Sequence, residues 1–286
     1  MKTVKIALLG IGNVGGGVYR ILNEDKASIG HREGLACEIK YVLVRDVNKP
    51  RDLDFPKSLL TDDFNVILDD DEIEIVAEFM GGIHPAKEYM IECMKKGKSV
   101  VTANKEVIAK HWPDLNRAAK ENGVGLFFEP SVAGGIPILK TLWTSMQGND
   151  IESIYGIING TTNYILSRMT DEGLTYEAAL NDAKKLGYAE PDPTNDVEGY
   201  DATYKLSILA SLAFHAKVPV EKIYVEGISG ISPIDIDYAK ELGYVIKLLA
   251  IGKKNGETIE VRVHPTMIKK THPLASVNGA YNAVFI

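Results

Sequence analysis

Cysteine is scarce in this 286-residue chain: Cys37 and Cys93 are the only two. Two thiols cannot make the disulfide framework of a small secreted scaffold, which points to a cytoplasmic setting. The six histidines are scattered and none stands near a cysteine at metal-ligand spacing, so no zinc site follows. Blocks of basic residues are missing, and the net charge is −7. Nucleic acid and anionic membrane surfaces are therefore excluded as partners. The longest apolar runs, such as 206–214, fall well short of the ~20 residues that span a bilayer. Lys2 and Lys5 lead straight into a strand-like run, unlike a secretory leader. What remains is 45% hydrophobic and 25% charged. That is the composition of a soluble globular protein, at a length that suits two domains.

The densest chemistry lies at 186–205, which holds Glu190, Asp192, Asp196, Glu198, Asp201 and one lysine, Lys205. Pro, Gly and Asp make its first half a loop. Its second half predicts one helix beginning near Asp196 or Val197 and running through the apolar residues to Phe214. On that helix Asp201 and Lys205 are four apart and share a face, which continues through Ile208, Leu209 and Leu212. An exposed ion pair would satisfy the same spacing. A carboxylate-rich loop feeding an apolar helix also suits a site for a charged small molecule.

The first half of the chain alternates apolar runs with helical patterns. A strand over 4–9 leads into Gly10-Ile11-Gly12-Asn13-Val14-Gly15 and then a helix. A G-x-G-x-x-G motif in that setting is the dinucleotide fingerprint. Gly10 allows the tight turn, Gly12 lets a pyrophosphate approach and Gly15 lets helix and strand pack closely. The helix N-terminus offers free N–H groups to phosphates. Residues 23–36 read as a loop or helix extension, and 38–44 as the next strand. Arg45 and Asp46 follow it, with Lys49 and Arg51 beyond. Three cations where the adenosine ribose is met tilt the reading toward NADP over NAD. Further strands are expected at 74–80, 99–102 and 125–129, with helices from Pro85 to Lys96 and over 107–121. This rhythm predicts an α/β fold with a Rossmann-type doubly wound parallel sheet. Gly81, Gly82, Lys105 and Glu129 fall at strand C-termini, the ligand edge of such a sheet.

The character changes at Pro130-Ser131-Val132-Ala133-Gly134-Gly135-Ile136-Pro137, taken as the domain crossover. Glycines 134 and 135 would free the backbone to point carbonyls inward. A strand is expected at 151–158, followed by Asn159-Gly160-Thr161-Thr162-Asn163, whose threonine hydroxyls could cap the next helix. Helices are predicted over 175–186 and 236–252, and strands over 258–264 and 280–286. Two domains follow: a dinucleotide-binding domain over 1–135, and an α+β substrate-binding and dimerisation domain over 136–286.

Taken together these motifs resemble homoserine dehydrogenase along essentially the whole chain. The resemblance rests on Gly10–Gly15, Val101-Thr102-Ala103-Asn104-Lys105, the 129–137 stretch, Asn159-Gly160-Thr161-Thr162-Asn163-Tyr164 and the loop up to Lys205. It implies NAD(P)H-dependent reduction of L-aspartate 4-semialdehyde to L-homoserine, on the route to threonine, methionine and isoleucine. It also implies a cytoplasmic homodimer or higher homo-oligomer. By the same resemblance Lys205 and Lys105 are catalytic, and Glu190, Asp196, Asp201 and Thr161 bind substrate. Gly10, Ile11, Gly12, Asn13, Val14, Gly15, Arg45, Gly81, Lys105 and Gly187 bind cofactor. Glu129, Val132, Gly134 and Ile136 hold sodium. Family members continue beyond the position of Ile286 with a Gly-rich segment and a final helix, so that tail is expected to be missing here. Two rival readings stand beside this one. A dehydrogenase of another amino-acid derivative, such as aspartate, has no evident need for the 190–205 loop. A nucleotide-sensing Rossmann protein usually adds a basic DNA-binding element, and none is visible.

Overall fold

The computed structural model describes residues 2–51 and 54–286. The chain divides into two compact units, the first ending at Ser131 and the second spanning Val132–Ile286. The division falls inside the small-residue stretch where the crossover is expected.

The first unit is built on β1 (Lys2–Leu9), α1 (Asn13–Glu24), α2 (Lys26–Glu33), β2 (Leu35–Leu43), β3 (Leu60–Thr61), α3 (Phe64–Leu68), β4 (Ile73–Glu78), α4 (Ala86–Lys95), β5 (Ser99–Thr102), α5 (Lys105–Glu121) and β6 (Leu126–Phe127). The six strands run parallel in the order β3-β2-β1-β4-β5-β6. That is the doubly wound dinucleotide-binding order, and it bears out the predicted fold class. Strand β1 is central, and its Ala7, Leu8 and Leu9 are fully buried. Each such leucine contributes roughly 1.5–3 kcal/mol of burial. Residues 26–33 form a helix of their own. Helix α5 carries Pro113 and is kinked at His111, where the backbone leaves helical geometry. Pro113 accounts for the kink, because proline removes one helical hydrogen bond and crowds the preceding turn.

The second unit comprises α6 (Ile138–Lys140), β7 (Ser153–Ile157), α7 (Gly160–Glu172), α8 (Tyr176–Lys185), α9 (Thr194–Val197), α10 (Tyr200–Ala213), β8 (Tyr224–Val225), α11 (Pro233–Glu241), β9 (Tyr244–Asn255), β10 (Thr258–Lys269) and β11 (Ala283–Phe285). Its mixed sheet has the order β11-β7-β9-β10-β8. Helices α7 and α10 pack on β9. The approach of α10 is close: a Cβ on Gly252 of β9 would meet the Phe214 ring at 3.1 Å.

Two expectations are corrected here. The helix predicted over 236–252 is α11 followed by the first nine residues of β9. Ile246 to Gly252 is a continuous buried run, and an apolar run of that length fits a fully buried strand as well as a buried helix. Gly243 at φ +81 ends α11 and starts the strand. The single helix expected from Asp196 is two helices, α9 and α10, separated at Gly199 with φ +81.

Candidate active site

In the first unit, Gly10 sits at the end of β1 with φ +103, a conformation L side chains rarely adopt. A Cβ on Gly15 would lie 2.2 Å from Gly10 O, so the turn and α1 touch backbone to backbone. Gly12 differs: a Cβ there would meet nothing within 4 Å. Gly12 is the N-cap of α1, with no side-chain cap and no acidic residue in the first turn. The N–H groups of Asn13, Val14 and Gly15 therefore face an open, uncharged approach, as an anion requires. Val14 is 52% exposed there, and Ile11 is half-buried.

Arg45 is exposed, two residues past β2. Arg51 is spent on its own loop, donating to Asp46 O at 2.6 Å and Lys49 O at 2.8 Å. Arg45 and Lys49 are thus the exposed cations of this segment, and Arg51 shapes the loop beside them.

Sequence reasoning passed over Glu78. This carboxylate at the end of β4 is fully buried. It accepts from Thr102 Oγ1 at 2.6 Å and from Met80 N at 2.7 Å. Thr102 Oγ1 in turn accepts from Asn104 N, and Asn104 Nδ2 donates to Gly82 O at 2.7 Å. Asn104 also caps α5 through Val107 N. The chain of bonds fixes the Gly81-Gly82 turn and the start of α5, where Lys105 is the first helical residue. An acid closing the apolar run Ile75-Val76-Ala77 was the available signal.

In the second unit four predicted residues converge. Asp201 and Lys205 lie one turn apart on α10, with Lys205 Nζ 2.6 Å from Asp201 Oδ2 and side chains only 5% and 16% exposed. Lys205 Nζ also donates to Ile158 O at 2.8 Å. Asn159 Nδ2 donates to Asp201 Oδ2 at 2.9 Å and to Asp196 Oδ1 at 2.7 Å. Thr161 Oγ1 donates to Tyr188 O at 2.6 Å and lies 3.3 Å from Asp196 Oδ2. The Gly199 break is what brings α9 and α10 to the same amide. A Cβ at Gly199 would press on Val225 and Val263 at 3.1 and 3.3 Å. Expected capping by Thr161 and Thr162 is corrected: Asn159 caps α7, accepting from Thr162 N. Thr161 is thereby released to face the carboxylates.

Burial is the main cause holding the Asp196 carboxyl above the usual carboxylate range, and the nearby Asp201 charge adds to it. Asn159, Lys205 and Thr161 act in the opposite direction. The cluster holds two carboxylates against one ammonium, so it carries an excess of negative charge suited to a second cation. Glu190 stands apart on the exposed loop that follows α8, and Gly187 is exposed at φ +77.

The 129–136 stretch, along which the chain passes from the first unit into the second, differs from expectation in its backbone. The left-handed pair is Ala133 and Gly134, each at φ +59, rather than the two glycines. Val132 is fully buried, and Ile136 O already accepts from Ile138 N at 2.8 Å. Glu129 is half-buried. Among the described residues no cluster of His, Cys, Asp and Glu could hold a metal, and no helix is long and apolar enough to cross a membrane.

Family models agree with this geometry. The homoserine dehydrogenase model matches residues 137–286, and the model of the homoserine dehydrogenase NAD binding domain matches 10–129. A homoserine dehydrogenase of Synechocystis is 50% identical, over 99% of this chain and 66% of its own length. A crystal structure of a homoserine dehydrogenase from Thiobacillus denitrificans has a TM-score of 0.94 at 45% identity, covering 99% of this chain and 66% of that one. A hyperthermophilic archaeal homoserine dehydrogenase in complex with NADPH has a TM-score of 0.80 at 28% identity, covering 99% and 87%. The chain thus spans 66% of the Synechocystis relative.

Proposed function

The chain belongs to the homoserine dehydrogenase family, and we propose on that basis that it catalyses reversible NAD(P)H-dependent reduction of L-aspartate 4-semialdehyde to L-homoserine. The observation that carries the reading is the buried Lys205–Asp201 pair beside Asn159, Thr161 and Asp196. A lysine ammonium has three donors. Two are engaged, by Asp201 and by Ile158 O. The third serves the aldehyde oxygen as it gains negative charge, and its proton completes the alcohol. Asp196 and Asp201 supply the negative charge that holds the substrate ammonium, with Glu190 as a further anchor from the loop. Thr161 orients Asp196. Lys105, set at the N-terminus of α5 by the Glu78–Thr102–Asn104 chain, is the second catalytic lysine of this reading and serves both cofactor and substrate.

The dinucleotide supplies the hydride when bound. Its pyrophosphate fits the open N-terminus of α1 at Gly12, between the Gly10 turn and Gly15. Gly81 and Gly187 line the cofactor, and Arg45 favours NADP. A monovalent cation, sodium in this reading, is held by carbonyls of Val132, Gly134 and Ile136 with Glu129. Successive left-handed residues at 133 and 134 bend the backbone sharply there, which supports the reading. Exchanging sodium for choline at fixed ionic strength lowers the melting temperature if this is right and leaves it unchanged if not. Ile234 and Tyr238 on α11 and Leu242 at its C-cap recur every four residues and are 63%, 63% and 68% exposed. That apolar stripe supports a homodimer formed through the second unit, and light scattering at the mass of one chain would refute it. The function itself is tested by NADPH oxidation with aspartate 4-semialdehyde, with aspartate as the control substrate. Turnover of aspartate alone would transfer the chain to the rival dehydrogenase class.

A further inference from the structure

The side-chain amide of Asn159 has every hydrogen-bonding position engaged, and its two ends do different things. The oxygen accepts from Thr162 N at 2.9 Å and Thr162 Oγ1 at 3.0 Å, which caps α7. The nitrogen spends one proton on Asp196 of α9 at 2.7 Å and the other on Asp201 of α10 at 2.9 Å. Aspartate, serine or threonine would cap the helix comparably. A cap uses only the acceptor, so the donor half of the amide is surplus to that role. A flipped amide would set its oxygen against two carboxylates, so the bonding fixes its orientation. Asn159 is 5% exposed, which keeps water from replacing either bond.

We infer that Asn159 is a positioning residue for the reaction, bridging Asp196 and Asp201 so that both stay ionised and aimed at one substrate ammonium. The inference rests on the function proposed above. Asp201 is buried and Asp196 half-buried, and both bond one amide nitrogen. Two carboxylates so close repel, and the weaker acid takes up a proton unless donors stabilise its charge. The charged groups acting on Asp196 are Asp201 and Lys205, both from α10; from α7 come the neutral donors Asn159 and Thr161. Losing the Asn159 N–H removes a stabiliser of the Asp196 charge, so its carboxyl rises further. Protonated Asp196 attracts no ammonium, and substrate binding then fails as the pH falls.

The test compares wild type with Asn159→Ser and Asn159→Asp. Both variants retain a capping acceptor. Serine is too short to bridge the two acids, and aspartate replaces the donor with a third carboxylate. The KM for the semialdehyde is expected to rise by about tenfold or more, the loss typical of one hydrogen bond to a charged group. The kcat and the KM for NADPH should change little. The acid limb of kcat/KM should move to higher pH in Asn159→Ser, and further in Asn159→Asp. A limb at the wild-type position, or a uniform loss at every pH that tracks melting temperature, overturns the inference. Titration of the 13C-labelled Asp196 carboxyl gives an answer that needs no turnover. Its midpoint should be higher in Asn159→Ser, and an unmoved midpoint overturns the inference. Absence of wild-type turnover would count against the proposed function alone.

Discussion

Lys247 Nζ donates to Asn163 Oδ1 at 3.0 Å from a position on β9 that is 3% exposed. The same ammonium donates to Val277 O at 2.7 Å and Asn278 Oδ1 at 3.0 Å. Asn163 Nδ2 donates onward to the carbonyls of Val277 and Tyr281. The lysine thus pins the turn before β11 onto α7, whose first residue, Gly160, sits against Ala280 O. None of these bonded partners carries charge. Burial accordingly pulls the Lys247 ammonium down from 10.5 to about 8, with only the charge of Asp171 opposing. Between those values the unfolded chain holds a proton that the folded chain has released. Stability therefore rises with pH across this window and levels off below it. A shift of that size corresponds to about 3 kcal/mol at most. The urea midpoint of the wild type should climb between pH 8 and 10, and Lys247→Met should lose that climb. Parallel curves for the two proteins would show that another group titrates.

The glycines of the first turn differ in what surrounds them. A Cβ on Gly15 collides with the backbone of Gly10. Gly15→Ala should cost roughly 1–3 kcal/mol of stability or more, as overpacking does. Gly12→Ala meets nothing in the protein. It should melt near the wild-type temperature and yet bind NADPH at least about tenfold more weakly, since the methyl enters the space a pyrophosphate needs. Calorimetry and fluorescence titration with NADPH distinguish the two. Equal melting losses in both variants would contradict the assignment.

Arg45 is exposed just past β2, as is Lys49, while Arg51 is bound into its own loop. Arg45→Ala should weaken NADPH about tenfold or more, the loss of a charge-assisted phosphate contact. NADH affinity should hardly change. Comparable losses for both cofactors would remove Arg45 as the discriminator.

Much of the first unit was legible in sequence because its central strands β1 and β4 are apolar, largely buried runs and the helices are punctuated by glycine or a capping residue. Gly97, Gly123 and Asn104 mark boundaries that propensity alone blurs. The Asp201–Lys205 pair was legible because helical spacing fixes it. The partners of that pair were not. Asn159 reaches Asp201 across 42 residues, and Asp196 is brought to it by a left-handed Gly199 inside what reads as one continuous helix. Glu78 was hidden for a similar reason: its partner Thr102 lies on a neighbouring strand, and only the sheet order sets the two side by side. The run from Ile246 to Gly252 reads as helix because burial on both faces erases the alternation that marks a strand.

The central claim is that Lys205, held by Asp201 and Ile158 O, donates the proton to the forming alcohol. Steady-state oxidation of NADPH by aspartate 4-semialdehyde, compared between wild type and Lys205→Ala, tests it most directly. The substitution removes both the charge that faces the developing alkoxide and the proton. The account predicts a fall in kcat of about a hundredfold or more. The KM for the semialdehyde should change far less, because the aldehyde is neutral before hydride arrives. Glu190→Ala should show the reverse split, raising KM while sparing kcat, and Lys105→Ala should disturb both. A Lys205→Ala enzyme with near-normal kcat would contradict the account and leave Lys105 as the proton donor.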